Sequence, residues 1–451
     1  MKEPAVLFRE TLVSLLEEKK YPTLRDVLVT LNPADIAALF EELPADRLPL
    51  LFRLLPKELA AETFVEMEPD EQELLIRGFS DNELKEVIDE LYLDDAVDIV
   101  EEMPANVVKR ILRSADPDTR KMINEILKYP EDSAGSIMTI EYVRLRRQFT
   151  VEQAIKHIRR TGIDKETIYT CYVTDDNRKL LGFVSVKTLL LSDEEASIED
   201  VMETNVIYVY TTEDRETVAN LFHKYNFIAL PVVDEEQRLV GIVTVDDALD
   251  VMQEEYTEDI EKMAAITPSG KPYLKTSVFA LWKARIPWLL LLMISATFTG
   301  MIITAFEQAL AAQVTLAAFI PMLMDTGGNC GSQSSATVIR GLSLDEIEFS
   351  DLLRVQWKEI RVAVLCGVTL AAASFAKLLL FDKVTLAVAL VVCVTLAVTV
   401  LCAKVVGCTL PILSMKVGFD PAVMSSPFIT TIVDAISLML YFSVATAVLG
   451  L

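Results

Sequence analysis

Histidine is almost absent from this sequence, and cysteine is scarce. The 451 residues include two histidines, His157 and His223, and six cysteines. There is no HExxH and no Cys-x-x-Cys, and the cysteines beyond residue 300 lie in apolar segments without paired spacing. These absences argue against a zinc or haem site and against a disulfide framework. A GxxxxGK[ST] phosphate loop is also missing, which argues against ATP hydrolysis as an energy source.

Acidic residues outnumber basic ones in the first part of the chain. Of 67 acidic and 42 basic residues, ten of each lie in residues 281–451, which leaves 57 acids and 32 bases in residues 1–280. The net charge of −25 therefore belongs to the N-terminal part. Nucleic-acid binding is improbable, since phosphates need a basic face, whereas bound cations or a solvated surface fit the excess of acid. The start, MKEPAVLFRE, has no apolar core, so we expect no secretory signal and a cytoplasmic soluble part.

The C-terminal part is neutral and apolar. About 20 helical residues cross a hydrocarbon core. Five stretches are long enough, at residues 286–306, 313–340, 358–381, 384–412 and 422–450. Basic residues cluster before the first stretch, between the second and third, and near the connection of the fourth to the fifth. The positive-inside bias predicts a multi-pass protein of the inner or plasma membrane with its N-terminus in the cytoplasm and its C-terminus outside.

Two of these stretches carry unusual polar residues. Segment 321–341, PMLMDTGGNCGSQSSATVIRG, combines small residues with Asp325, which indicates either close helix packing or a polar pathway. Asp434 lies inside the last stretch, where an ionised carboxylate costs about 2.5–3.5 kcal/mol. It must face protein, water or a cation, and a structural pair with Lys404 is the alternative to a cation site. Asp420 before Pro421 is chiefly a helix start, and a cation role there would be additional.

The soluble part contains two kinds of module. In residues 33–130, prolines recur at steps of 11 to 13 between short amphipathic pieces, which predicts a right- or left-handed helical solenoid with an acidic face. From about Ala134, strand-like and helical runs alternate, and the unit occurs twice, with Met138 equivalent to Met202 and Gly182 to Gly241.

This repeat resembles the CBS domain pair, especially through LPVVD and GIVTVDD in the second copy. In that family, an Asp three residues after a Ser or Thr often binds a ribose. The second copy has Thr244 and Asp247, whereas the first has Ser185 but Thr188. The resemblance therefore implies at most one adenine-nucleotide pocket, formed by Thr244 and Asp247, with ATP as the possible ligand.

An acidic helix is predicted after the second copy, in DDALDVMQEEYTEDIEKM. Its like-charged i,i+4 pairs, such as Asp250–Glu254 and Glu255–Asp259, destabilise an isolated helix by a few tenths of a kcal/mol each. Either this is a solvated face, or divalent cations bridge it to an opposing acidic surface. The solenoid offers such a surface in Asp94, Asp95 and Asp98 of YLDDAVDIVEEM, together with Glu62, and Asp94 and Asp98 share a helix face.

The whole arrangement resembles the MgtE magnesium channel/transporter family, most specifically in segments 321–341 and 420–445. The resemblance implies a multidomain transporter rather than an enzyme. Its expected parts are an all-α helical solenoid (1–132), an α/β CBS pair (133–198 and 199–250), a connecting helix (251–282) and a five-helix α transmembrane domain (283–451). Members are homodimers in the lipid bilayer, with a Mg²⁺ pore on the dimer axis.

The resemblance also implies roles for individual residues. Asp434 of both subunits would hold Mg²⁺ in the pore, with Asp420 near its mouth. Cytosolic Mg²⁺ would close the pore by joining the N-domain, the CBS pair and the connecting helix. The matching regulatory positions are Glu62, Asp94, Asp98, Gly135 (through its carbonyl), Asp214, Glu216, Asp247, Asp250, Glu255, Glu258 and Asp259. Asn226 stands where an acid is expected, and Asp325 is a second departure.

Two other functions remain open at this point. The scaffold would serve equally for Co²⁺, Mn²⁺ or Ni²⁺, although the membrane part has no histidine for these softer metals. A membrane-anchored Mg²⁺ sensor that does not transport would use the same soluble modules.

Overall fold

The computed structural model describes residues 11–163, 165–269, 273–344, 346–424 and 426–450. The chain divides into two compact units, Met1–Met252 and Gln253–Leu451.

Short helices build the first part of the N-terminal unit. They are α1 (Tyr21–Leu28), α2 (Pro33–Glu41), α3 (Leu48–Phe52), α4 (Lys57–Val65), α5 (Pro69–Gly78), α6 (Asp81–Ile88), α7 (Leu93–Glu102), α8 (Ala105–Ser114) and α9 (Pro117–Ile126). Proline opens several of them, as at Pro33 and Pro117, because the first helical residue needs no hydrogen-bonded N–H. Helices two apart pack together, α2 on α4, α4 on α6 and α6 on α8, as a solenoid requires.

The second part of this unit is a repeated α/β structure. Its elements are β1 (Tyr142–Arg146), α10 (Val151–Thr161), β2 (Thr167–Thr174), β3 (Leu180–Ser185), α11 (Val186–Leu191), α12 (Ile198–Val201), β4 (Val209–Tyr210), α13 (Arg215–Tyr225), β5 (Ala229–Val233), β6 (Leu239–Thr244) and α14 (Val245–Met263), the last extending into the second unit. The strands form two three-stranded sheets, β1-β2-β3 and β4-β5-β6. In each sheet the first pair is parallel and the second antiparallel, which confirms the predicted repeat.

The equivalent methionines and glycines of the repeat lie against each other across the two copies. A Cβ on Gly241 would lie 2.8 Å from Sδ of Met138, and one on Gly182 would lie 3.0 Å from Sδ of Met202. The bridge between Thr139 and Ile242 belongs to the same crossing. Glycine occupies both strand positions because the segment at the start of the other copy lies directly against them.

Long helices form the C-terminal unit. They are α15 (Val278–Ala305), α17 (Ile320–Ser343), α18 (Leu352–Leu380), α19 (Leu386–Val417) and α20 (Ser426–Leu449), with a short α16 (Glu307–Ala312) and 3₁₀ turns at Val314–Phe319, Phe349–Asp351 and Pro421–Met424. In the described residues, the helical segments Val278–Ala305, Phe349–Leu380, Leu386–Val417 and Pro421–Leu449 are long and apolar enough to span a membrane.

The second predicted span is helical but less apolar than the other four. The 3₁₀ turn at Val314–Phe319 occupies its first residues, and α17 follows with 24 residues, about 36 Å at the helical rise. Its glycines, hydroxyl residues and Asp325 lower its mean hydropathy, so it is not among the four segments that are apolar enough to span a membrane. It has the length of a span without the hydropathy of one.

Glycines let α17 approach its neighbours closely. A Cβ on Gly331 would lie 2.7 Å from Ile429 on α20, and one on Gly407 of α19 would strike the backbone of Gly331. A Cβ on Gly327 would meet Thr399 of α19 and Val433 of α20. Because lipid tails are as apolar as leucine, such close contacts, rather than the hydrophobic effect, hold membrane helices together.

This packing predicts opposite effects for two glycine-to-alanine changes. Gly407→Ala places a methyl against the Gly331 backbone and should destabilise the protein by about 1–3 kcal/mol. Gly300→Ala, on α15, adds its methyl to open space and should be neutral or stabilising, by up to about 1 kcal/mol from helix propensity. Thermal unfolding in detergent measures both. Equal melting temperatures for the two variants would contradict the packing described.

Candidate cation-binding sites

Acidic residues from α7 and the start of α14 share one part of the N-terminal unit. Asp94 is only 6% exposed, and its carboxylate accepts a hydrogen bond from the amide of Asp95. Burial and then the charge of Asp247 raise the pKa of Asp94 well above its usual range. Desolvation and then the charge of Asp247 also raise the pKa of Asp98. Part of the Asp98 side chain is exposed, so solvent screens these effects. The structure thus brings together Asp94, Asp98 and Asp247, as predicted.

Two further acids belong to this group, Asp95, which the sequence placed on the same acidic surface, and Glu166, which it did not indicate. Burial and Asp247 raise the pKa of Asp95 to about 7. Burial and Asp246 raise the pKa of Glu166 to about 8. Oε2 of Glu166 is buried and has no hydrogen-bond partner within the described part of the chain. Nothing in the local sequence pattern around Glu166 indicates that it belongs with these acids.

We call Asp94, Asp95, Asp98, Glu166 and Asp247 the α7/α14 acidic group. None of its members forms an ion pair with a Lys, Arg or His among the described residues. The mutual repulsion is therefore offset only by partial protonation or by an external cation.

A second set of predicted ligands meets where residues 132–135 pair with residues 211–215. The amide of Gly135 donates to the carbonyl of Thr211 at 2.9 Å, and a Cβ there would strike the ring of Tyr129. Asp214 caps α13 by accepting from the amides of Glu216, at 2.9 Å, and Thr217. Gly135, Asp214 and Glu216 are thus neighbours, with the Asp214 carboxylate used as a helix cap.

Asn226, where an acid was expected, has a conformational role. It ends α13 in the left-handed region, with φ 54°. Asparagine tolerates that conformation better than most residues, which accounts for its presence at a helix C-terminus.

Three other predicted ligands stand outside these two sets. Glu62 is exposed on α4 and contributes, after burial and other acids, to raising the pKa of Tyr92. Asp250 lies on α14 and is exposed as a whole residue. Partial desolvation of its carboxyl group and then the charge of Asp246 raise its pKa. Glu255 is half-buried one turn further along the helix.

In the C-terminal unit, a lysine joins the end of α14 to the start of the last span. Nζ of Lys262 lies 2.6 Å from a carboxylate oxygen of Glu258 and 2.6 Å from one of Asp420. Although burial disfavours the charge, the hydrogen bonds to Asp420 and Glu258 raise the pKa of Lys262. Asp420 also accepts from the amide of Ala422 at 2.7 Å, which confirms it as a helix start.

Asp259 belongs to the same junction. Its carboxylate accepts a hydrogen bond from the hydroxyl of Ser343, at the end of α17. Burial raises its pKa against the opposing effect of that hydrogen bond. The predicted ligands Glu258, Asp259 and Asp420 are thus brought together, but with an ammonium group between two of them.

The nucleotide pair of the second repeat is already engaged internally. The hydroxyl of Thr244 donates to the carboxylate of Asp247. That contact lowers the pKa of Asp247, while burial, the larger effect, raises it to about 6. In the first repeat, Ser185 caps α11 by accepting from the amide of Thr188 at 3.0 Å, and Thr188, at the position equivalent to Asp247, has no charge.

Asp434 is half-buried within the C-terminal unit. Its Oδ1 is buried and has no hydrogen-bond partner in the described residues. The negative charge of Asp325 on α17 repels the negative charge of Asp434. A carboxylate oxygen without a donor suits a cation or its hydration water, since a buried unpaired charge is costly.

One face of α17 remains uncovered within the chain. Asp325, Asn329 and Gln333 recur at i, i+4 and i+8 and are exposed, whereas the glycines at 327 and 331 are buried. The predicted close packing is confirmed on one face, where small residues lie against α19 and α20, and on another face polar residues form an exposed stripe. Lipid cannot satisfy such a stripe.

The alternative pairing of Asp434 with Lys404 is wrong. Lys404 is buried and forms an ion pair with Glu359 of α18, at 3.6 Å. Its Nζ also donates to Oγ of Ser334, at 3.2 Å, and that hydroxyl donates to Glu359 at 2.7 Å. A pair from helices 45 residues apart along the chain gives no local pattern in the sequence.

Across the described residues, no three Asp, Glu, His or Cys side chains converge closely enough to hold a metal ion. The α7/α14 acidic group fits a divalent cation by its donor type and its lack of basic partners, and Asp434 fits one by its unpartnered oxygen. Glu258 and Asp420 fit less well, since Lys262 already lies between them.

Known families match most of the chain. Residues 31–132 match the MgtE intracellular N domain, residues 134–194 and 198–254 match the CBS domain, and residues 320–444 match MgtE, described as a divalent cation transporter. A solved structure of the cytosolic domain of the Mg²⁺ channel MgtE in complex with ATP is 40% identical and covers 54% of this chain and 99% of its own, with a TM-score of 0.52.

Full-length relatives are similar as well. The magnesium transporter MgtE of Thermus thermophilus is 39% identical over 443 residues, which are 97% of this chain and 98% of the relative. That of Bacillus subtilis is 34% identical over 437 residues, 97% of this chain and 96% of the relative. With a helical N-domain, a CBS pair and a membrane part in the order of these relatives, the chain belongs to the MgtE family of magnesium transporters, which are membrane proteins and not enzymes.

Proposed function

We propose that this protein is a Mg²⁺-selective uptake channel, driven by the membrane potential and closed by cytosolic Mg²⁺. The observation that carries the proposal is the exposed polar stripe of α17 next to Asp434, whose Oδ1 is buried and unpartnered in the described residues. In a bilayer this surface needs water, ions or a second copy of the chain.

A homodimer satisfies this surface. If two copies meet along the α17 stripe, two Asp434 carboxylates face each other near the two-fold axis. Mg²⁺ gives up its waters reluctantly and is usually held by one or two carboxylates together with water, which matches such a site. We orient the protein by the positive-inside bias, with its N-terminus in the cytoplasm and its C-terminus outside. A divalent ion entering gains about 4.6 kcal/mol per 100 mV.

The proposed gate depends on carboxylates that have no basic partner. The α7/α14 acidic group lacks basic partners among the described residues, and burial makes its repulsion costly. Cytosolic Mg²⁺ would remove that cost, join the N-domain to the CBS pair and the connecting helix, and favour the closed state. The solved relative was crystallised with ATP, so we assign Thr244 and Asp247 as the nucleotide contacts of this chain's CBS pair.

The pore assignment predicts that Asp434→Asn abolishes Mg²⁺ uptake, because the amide keeps the shape and removes the charge. Uptake is measured with a Mg²⁺-sensitive dye in vesicles under an inside-negative potential. Asp382→Asn is the matched control, because Asp382 lies beyond the end of α18 and is paired with Lys377 at 2.8 Å. Uptake by Asp434→Asn equal to that of the control would refute the pore site.

The gate predicts a constitutively active variant. Neutralising Asp247, Asp250 and Asp259 together should leave uptake high when the cytosolic side contains millimolar Mg²⁺, because the closed state loses its cation bridges. The control neutralises Asp193, Glu194 and Glu195, which are consecutive and exposed. If the first variant is inhibited by Mg²⁺ as strongly as the control, the gate does not depend on these carboxylates.

The raised pKa values predict a pH dependence of stability in the absence of divalent ions. The pKa of Asp95 is about 7 and that of Glu166 about 8 in the folded chain, both above the unfolded values. Their protonation stabilises the fold fully below about pH 4, and this stabilisation is lost as pH rises through about 7 to 8. The segment 1–252 in EDTA should therefore be more stable at about pH 5.5 than at about pH 9.

Urea unfolding of this segment tests the prediction. In the Asp95→Asn/Glu166→Gln variant, the pH dependence should flatten, and the wild-type-minus-variant difference isolates these two carboxyls from other titrating groups. A difference that does not change between the two pH values would contradict the assignment. Added Mg²⁺ should raise the stability at the higher pH.

A further inference from the structure

A buried ion pair joins α18 and α19 in the C-terminal unit. Lys404 is 13 residues from the end of α19 and 18 from its start, about 20 Å and 27 Å at the helical rise. Its side chain is 6% exposed and that of Glu359 is 15% exposed. Burying two charges costs several kcal/mol per ion before their attraction is counted, so the pair is costly to maintain.

Ser334 completes the arrangement. Its hydroxyl donates to Glu359 at 2.7 Å and accepts from Lys404 at 3.2 Å. Ser334 is itself buried, with 2% of its surface exposed. Three helices, α17, α18 and α19, are therefore joined at one point by charge-assisted hydrogen bonds, which are about twice as strong as neutral ones. We call these residues the Ser334–Glu359–Lys404 clamp.

The clamp lies beside a close contact between two helices of the unit. Ser334 is one turn beyond Gly331 on α17, and Lys404 is one turn before Gly407 on α19, where the two glycine backbones meet. Gly331 also packs on Ile429 of α20. The clamp thus fixes the position of α17 against α19, and through the same glycine the position of α17 against α20.

Helix α20 carries Asp434, and α17 carries the exposed polar stripe. One face of α17, at Gly327, lies against Val433 and Ser437, the neighbours of Asp434 along α20. A small rotation of α17 would therefore change the distance between Asp434 and Asp325. Displacements of about 1 Å at a reacting or binding group cost up to about a hundredfold in rate.

We propose that Ser334, Glu359 and Lys404 are positioning residues for Mg²⁺ passage, which hold α17 in the place where the Asp434 site binds the ion. The proposal rests on the pore assignment made above. In this proposal Lys404 does not contact the ion, because its ammonium group is already paired with Glu359 and hydrogen-bonded to Ser334.

The test uses the full chain in vesicles, with Mg²⁺ uptake per folded protein measured across a range of Mg²⁺ concentrations. Lys404→Met removes the charge at similar volume and leaves Glu359 buried and unpaired. It should raise KM for Mg²⁺ or lower the maximal rate at least about tenfold, and it should reduce the preference for Mg²⁺ over Ca²⁺. Lys404→Arg keeps the charge and should restore the wild-type preference. Lys377→Met, at an exposed pair with Asp382, is the matched control and should change neither.

A merely structural role would show itself differently. If Lys404→Met lowers the melting temperature while KM, maximal rate and ion preference per folded protein all stay at the wild-type values, the proposal is overturned. Should Lys404→Met fail to fold, Ser334→Ala, which removes one hydroxyl, decides the question by the same readouts. Uptake that survives Asp434→Asn but responds to Lys404→Met would reject the pore assignment and leave the clamp coupled to another site.

Discussion

The structure depends on how each buried carboxylate is compensated. Within the described residues, two kinds occur. Glu359 and Asp420 each have a lysine, whereas Asp94, Glu166 and Asp434 have none. Because burial without a counter-ion is costly, the unpaired carboxylates are stable only with bound protons or bound cations. That distinction separates carboxylates that hold helices together from those that are free to bind an ion.

The membrane unit shows both uses on adjacent faces of one helix. On its buried face, α17 has glycines that admit neighbouring backbones and Ser334, which joins two charged side chains. On its exposed face it has Asp325, Asn329 and Gln333. The same 24 residues therefore supply packing and a polar surface, which is why their mean composition resembles neither an ordinary membrane span nor a soluble helix.

Local chemistry made much of the fold predictable. Proline steps predicted the short helices of the N-terminal part, Asp420–Pro421 predicted a helix start, and the equivalence of Gly182 with Gly241 predicted the repeat, all from neighbours in sequence. Interactions between distant residues were not accessible in this way. Glu166 joins α7 across some 70 residues, and Lys404 pairs with Glu359 rather than Asp434, because tertiary packing decides which charges meet.

The two acidic regions that were predicted to bind regulatory Mg²⁺ are not equivalent. At the α7/α14 acidic group an arriving ion meets only carboxylates, and it competes at most with protons. At the end of α14 it meets Lys262, whose ammonium already lies 2.6 Å from both Glu258 and Asp420. Binding there requires displacing a covalently attached cation, which weakens the affinity without removing the carboxylates. If both regions bind Mg²⁺ as proposed, we expect the contact between α14 and the start of the last span to persist at Mg²⁺ concentrations too low to neutralise the α7/α14 acidic group.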